Sequence, residues 1–161
     1  MKIGDRLVSE RYQDYHVSGA FKCYRDKCFE DIGGLKSVYG WDILDETDAR
    51  SHGWKTLSDD SIPLIHYRPQ GSSFGQIRGR VVWGWGAYAI GSHPIFTLGR
   101  SIYRMGEHPW IVCGLAIMWG YISAHFKSTI KRNSDKKSIR FLRREQMYRL
   151  FHGNRIPMDK R

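Results

Sequence analysis

Cysteine is scarce in this chain, with three in 161 residues. Three cannot all pair within one chain. Cys23 and Cys28 have no partnering Cys-x-x-C, so neither a disulfide framework nor a zinc site is expected. Reduced thiols in a cytoplasmic setting are the simpler reading. The opening stretch MKIGDRLVSERYQDY contains no apolar run, and no signal peptide is expected. There is no Gly-rich phosphate loop and no G-x-G-x-x-G, so any nucleotide chemistry has to use another device. The 17 glycines and 5 prolines show no fixed period, which excludes collagen-like and low-complexity classes. Six Trp, nine Tyr and seven Phe supply ample surface to bury, which argues against disorder.

What the chain has is positive charge, unevenly placed. The net charge is +10. From Lys127 to Arg161 there are 12 Lys and Arg against three acids, so this tail holds nearly the whole excess. The stretch Trp41–Asp60 is opposite in sign, with Asp42, Asp45, Glu46, Asp48, Asp59 and Asp60 against Arg50 and Lys55. A solvated helix face is the ordinary reading of such a cluster, and a site is the other. The basic tail attracts phosphates, whether of nucleic acid or of anionic lipid. The segment before it, Trp110–Ala124, carries no charge. As a helix its fifteen residues reach about 23 Å, short of the ~30 Å hydrocarbon core, so a monotopic or buried helix fits better than a span. Trp110, Trp119 and Tyr121 are of the types that sit at a lipid interface.

The pattern along the chain predicts a strand over 17–24 and a short helix over 27–32, capped by Asp26 and stopped at Gly33-Gly34. A second helix is predicted over 43–52, with Asp42 as its N-cap and Gly53 just beyond its end. Strands are predicted over 54–57 and 62–67, and a turn-rich stretch over 68–75. Helices are expected over 77–90, 94–105 and 138–151, the last with Ile139, Leu142, Met147, Leu150 and Phe151 on or near one face. Three segments result: residues 1–76, a helical extension over 77–126, and a basic tail over 127–161.

Three blocks carry a resemblance: SGAFKCYRDKCFEDIGG (Ser18–Gly34), GWDILDETDARSHGW (Gly40–Trp54) and LIHYR (Leu64–Arg68). Their order and spacing resemble the C-terminal half of the catalytic domain in family 2 glycosyltransferases. There, a strand and a small-residue turn lead to an R-x-x-x-F-x-x-x-G-G helix, an acidic motif that opens a second helix, and a strand ending in His. Later segments (GQIRGRVVWGWGAY, GSHPIFTLGRSIYR, RREQMYRL) resemble the membrane-proximal extension of the bacterial envelope-polysaccharide branch, including rhamnosyltransferase-like members. The resemblance implies an α/β fold, a partial GT-A (Rossmann-like) domain followed by C-terminal helices. The family's N-terminal nucleotide-binding half ends in a D-x-D metal motif, and no D-x-D occurs here. The chain is therefore expected to be a fragment or truncated product, or to work with the missing half supplied elsewhere. The divalent metal, Mg or Mn, that the full-length enzyme would use has its main ligands elsewhere.

The resemblance implies transfer of a sugar from a nucleotide-sugar donor to a hydroxyl of a saccharide or lipid-linked saccharide acceptor, at the cytoplasmic face of the membrane. Inverting transfer needs a base for the acceptor hydroxyl, and Asp42 matches that position; helix capping is its other reading. Asp45 and Glu46 would orient the acceptor or raise the proton affinity of Asp42, or would compensate the helix dipole. Ser18 and Gly19 would line the acceptor or sugar pocket, Gly because the backbone comes close. Trp41 and Trp54 would stack on a sugar ring or pack, with packing favoured for Trp54. His66 would approach the metal or the donor diphosphate, and Arg68 would offset leaving-group charge. Arg78 and Arg80 are the candidates for touching a phosphate of a lipid-linked acceptor or a head group. Gln146-x-x-Arg149-Leu150 resembles the Q-x-x-R-W motif of processive synthases only superficially, with Leu in place of Trp. The other functional classes are a non-catalytic membrane-surface adaptor derived from such a transferase and a basic nucleic-acid-binding module. The second is disfavoured, because the tail offers only Phe141, Tyr148 and Phe151 for base stacking.

Overall fold

The computed structural model describes residues 2–3, 6–7, 14–17, 19, 21–59, 61 and 75–153. They form β1 (Lys2–Ile3), β2 (Arg6–Leu7), α1 (Asp26–Asp31), α2 (Trp41–Ser51), α3 (Gln76–Ala89), α4 (Pro94–Arg104), α5 (Val112–Ala124) and α6 (Lys136–His152). The two strands pair antiparallel, Lys2 opposite Leu7 and Ile3 opposite Arg6, and they are the only sheet among the described residues.

This overturns the expected α/β, GT-A-like fold: the described body is helical. The cause is visible in the segments expected as strands. Val17 donates its N–H to Glu46 Oε1 at 2.9 Å, where a strand would use a neighbouring backbone carbonyl. Lys22 and Tyr24 reach from the same segment to the carboxylates of α2. Residues 54–57 are likewise tethered by side chains, with Thr56 Oγ1 donating to the Tyr15 carbonyl at 2.7 Å. A backbone group turned from solvent needs a partner, and for the Val17 N–H a side chain of α2 supplies it. The strand expected over 62–67 lies outside the described residues.

The helices begin and end where local chemistry dictates. Gly33 and Gly34, with φ of 70° and 74°, close α1. Gly40, at φ 76°, is the N-cap of α2, so Asp42 is not the cap and stands at the second helical position. Pro94 stands at the first helical position of α4, and Asp135 caps α6 by accepting from the N–H of Lys137 at 2.8 Å.

Close helix contacts rest on absent side chains. A Cβ on Gly84 would lie 2.2 Å from the Ile117 carbonyl oxygen, and one on Gly120 would lie 2.1 Å from that of Val81. Backbone therefore meets backbone where α3 crosses α5. Gly114 plays the same part between α5 and α4, 2.3 Å from the Ser101 oxygen. The other contact, α2 with α6, is largely polar. Arg50 forms a two-pronged pair with Glu145 at 2.8 and 2.9 Å, and Ser138 Oγ donates to Asp48. Leu44, Ile90 and Leu142 form an apolar cluster beside it. That cluster draws one residue from each of the three expected segments, so they share one core.

Candidate active site

The acidic cluster of α2 is not a solvated face. Asp45, Glu46 and Asp48 are 4%, 5% and 3% exposed. Burying carboxylates is costly unless each has a partner, and each has one. Lys22 Nζ lies 2.9 Å from Asp45 and 3.0 Å from Glu46, with its own side chain buried. Tyr24 donates its hydroxyl to Asp45, and His16 Nδ1 lies 3.0 Å from Glu46. Lys36 reaches Asp48 at 2.6 Å. Burial pushes Asp45 above the usual carboxylate range, despite its bonds to Tyr24 and Lys22. Burial also pushes Glu46 upward, but hydrogen bonding and charge from His16, the Lys22 ammonium and the Val17 N–H outweigh it and hold Glu46 low. Burial and the neighbouring Asp45 push the Tyr24 phenol well up, so it stays a donor.

Asp42 differs from its neighbours. It is half-buried, and among the described residues its carboxylate makes no hydrogen bond or ion pair. Its backbone carbonyl accepts from Lys22, which fixes the start of the helix without consuming the carboxylate. A Cβ on Gly19 would stand 3.1 Å from Asp42 Cβ and 3.6 Å from Oδ2, so the backbone at Gly19 runs directly past this side chain. Trp41 is half-buried, with the Lys22 ammonium 5.7 Å from its ring centroid. Gly19, Trp41 and Asp42 are thus brought together, and Asp45 and Glu46 form a paired layer behind them. Trp54 packs on Cys28, Ile32 and Ala49 and donates to Asp31 at 3.0 Å. Ser18, His66 and Arg68 lie outside the described residues.

Of the two expected phosphate-contacting arginines, Arg78 is exposed. Arg80 turns inward, pairs with Glu107 at 2.7 Å and lies 4.2 Å from the centre of the Trp83 ring. Two residues not picked out from the sequence, Arg100 and Arg104, share that ring at 5.4 and 5.5 Å. Their signal was the spacing of Phe96, Arg100 and Arg104 at four-residue intervals, which puts all three on one face of α4. Arg149 stands opposite on α6, 5.2 Å from the Phe96 ring. A cavity of about 240 Å³ opens between Arg100, Arg104, Arg149, Ile43, Phe96 and Gln146. Gln146 and Arg149, set aside as a superficial motif match, therefore line one cavity. Burial, reinforced by Arg104, Arg149 and Arg80, pushes the Arg100 guanidinium down to about 10, and Asp42 is the carboxylate that opposes this.

Among the described residues no three His, Cys, Asp or Glu side chains converge to hold a metal ion. His66, the residue expected near the metal, lies outside the described residues. No protein-family model, curated protein or solved structure matches this chain.

Proposed function

We propose that the chain takes part in glycosyl transfer from a nucleotide-sugar donor to a hydroxyl acceptor, with Asp42 as the general base. The observation that carries this reading is the state of Asp42: among the described residues it is the α2 carboxylate left unpaired, on a helix whose other acids are buried and bound. A base needs a free lone pair at a fixed position, and this arrangement supplies both. The acceptor hydroxyl approaches past Gly19, where no side chain stands in the way. Its oxygen attacks the anomeric carbon while its proton passes to Asp42. The bond from that carbon to the donor's diphosphate oxygen breaks, and its electron pair leaves on the nucleoside diphosphate. The protonated Asp42 then returns the proton to water.

The test is release of nucleoside diphosphate from sugar nucleotides in the presence of saccharide and lipid-linked saccharide acceptors. Asp42→Asn keeps the size and should lower turnover by about 10²-fold or more while donor binding is retained. Near-normal turnover in that variant would remove the base assignment.

A second observation favours the surface of an anionic membrane as the place of action. Ile95, Leu98 and Ile102 line an exposed stripe of α4, and Leu115, Trp119 and Ile122 line one of α5. No helix among the described residues is long and apolar enough to cross a membrane. Both stripes have the spacing of an interfacial helix. They serve the adaptor reading equally well, and turnover distinguishes that reading from the enzyme. Nucleic-acid binding is supported less, since Arg143 and Arg149 of the basic tail turn inward, Arg143 to the Gly91 carbonyl at 2.9 Å.

A further inference from the structure

The arginines around Trp83 are more numerous than the carboxylates that face them. Arg80, Arg104 and Arg149 all act on the charge of Arg100, with Asp42 opposing them, and of the four arginines only Arg80 and Arg104 form an ion pair among the described residues, both with Glu107. Arg100 and Arg149 are left without a paired carboxylate there. Donors are left unmatched as well: Arg80 Nη1, Arg104 Nε and Arg149 Nε are buried and have no hydrogen-bond partner among the described residues. Arg100 makes no hydrogen bond there either, although it lines the cavity. Buried N–H groups without acceptors cost stability, and so do like charges held together at low dielectric. Arginine's fork of donors suits the oxygens of a phosphate, and a phosphate brings negative charge to the arginines left without a carboxylate.

We propose that the cavity between α4 and α6 is a phosphate-binding site, held by Arg100, Arg104 and Arg149 and backed by Arg80 and Trp83, for a dianionic phosphate or diphosphate group. Gln146 is not a ligand of this group. Its Oε1 accepts from the His93 N–H at 2.8 Å and its Nε2 donates to Ser92 at 3.0 Å, so it fixes the cavity wall. Tyr103, at the rim, is exposed on the same helix as the Ile95, Leu98 and Ile102 stripe. A phosphate carried on a lipid and one free in solution both present this chemistry. The site does not depend on Asp42 being a base.

The test is calorimetric titration of the intact chain with sodium pyrophosphate at fixed ionic strength, beside sedimentation with phosphatidylcholine vesicles with and without phosphatidic acid. Saturable binding to at least one is expected. Arg100→Gln and Arg149→Gln should each weaken it about tenfold or more, and Arg132→Gln, on the exposed surface over Tyr88, should not. Removing one of several crowded cations relieves repulsion, so these variants should keep the wild-type melting temperature. Pyrophosphate should also raise the wild-type melting temperature above that in chloride of equal ionic strength. A response to pyrophosphate alone identifies a soluble phosphate, and a response to phosphatidic acid alone a lipid-borne one; both support the site. Asp42→Asn removes an opposing carboxylate and should bind at least as tightly, so lost turnover with retained phosphate binding counts against neither proposal. Absence of binding to both probes, or unchanged binding in the folded Arg100→Gln and Arg149→Gln variants, overturns the site.

Discussion

Two adjacent carboxylates on one turn of α2, both buried and both paired with Lys22, respond to acid in opposite senses. Burial raises Asp45, so the folded chain holds that proton more readily than the unfolded chain. Its contribution to stability is full below the ordinary carboxylate range and is lost as pH rises through its raised value. Glu46 is pushed up by burial but held low overall by its bonds from His16, Lys22 and Val17. Its contribution is full above the ordinary range and is lost as pH falls through its lowered value. The two partly cancel in the wild-type chain. With Glu46→Gln the contribution of Asp45 is no longer offset by Glu46, and stability should fall less steeply on acidification between about pH 5 and pH 3. With Asp45→Asn the contribution of Glu46 is no longer offset by Asp45, and the fall should be steeper. Urea unfolding across that range compares the slopes, which separates the effect from any constant loss in either variant. Equal slopes in the two variants would show that the carboxylates are not held as the geometry indicates.

At the scale of elements, the helices were legible and their partners were not. Glycine stops and the Pro94 start lie in the local pattern, and the helices expected over 77–90, 94–105 and 138–151 correspond to α3, α4 and α6. The face of α6 was not legible. The expectation put Ile139, Leu142, Met147, Leu150 and Phe151 on or near one face; Leu150 and Phe151 are exposed, and the buried face runs through Ser138, Leu142, Glu145 and Gln146. A polar face looks solvated until the complementary helix is known, and here that helix is the acidic α2. The glycines of α3 and α5 hide their role in a similar way. Gly84 and Gly120 lower the helix propensity of their segments, and they let two backbones touch. Gly84→Ala and Gly120→Ala would raise intrinsic helix propensity, yet each should destabilise the chain by about 1–3 kcal/mol or more through overpacking against backbone that cannot move aside. Gly153→Ala has no neighbour within 4 Å, and its φ of 70° limits its cost to about 1 kcal/mol from the left-handed conformation. Thermal melts of the three variants give the order, and a cost at Gly84 and Gly120 no greater than at Gly153 would show that α3 and α5 stand further apart.

For the molecule as a whole, the candidate site was legible as a position and illegible as an environment. Asp42 stands out in the sequence because an acidic cluster in a basic chain asks for a reason. That the neighbours of Asp42 would be buried and consumed, leaving it alone unpaired among the described residues, depends on Lys22, Tyr24, His16 and Lys36 arriving from outside the helix. The apolar side of the molecule makes a stronger demand. Trp110, Trp119 and Phe126 are 65%, 66% and 86% exposed, and Trp119 lies on the exposed apolar stripe of α5 with Leu115 and Ile122, the kind of surface that meets a partner. The α5 helix has 13 residues and is about 20 Å long, so it can lie along a bilayer surface but not cross its ~30 Å core. Lys127 and Lys131 follow it closely in sequence and are exposed, placing positive charge beside the aromatic groups. Two terms of different physics therefore add in binding to a membrane, one proportional to apolar area and one screened by salt. Sedimentation with vesicles containing phosphatidylglycerol should show binding that weakens several-fold as salt rises from about 0.05 M to about 0.5 M, because salt screens the attraction between these lysines and the anionic surface. Trp119→Ser should weaken binding about tenfold at every salt concentration, since it removes only the apolar term. Lys127→Gln with Lys131→Gln should instead flatten the salt dependence and leave high-salt binding unchanged. If Trp119→Ser bound as tightly as the wild type, the aromatic side would not be the membrane face. If neutral and anionic vesicles bound equally at low salt, the basic residues would have no part in the attachment.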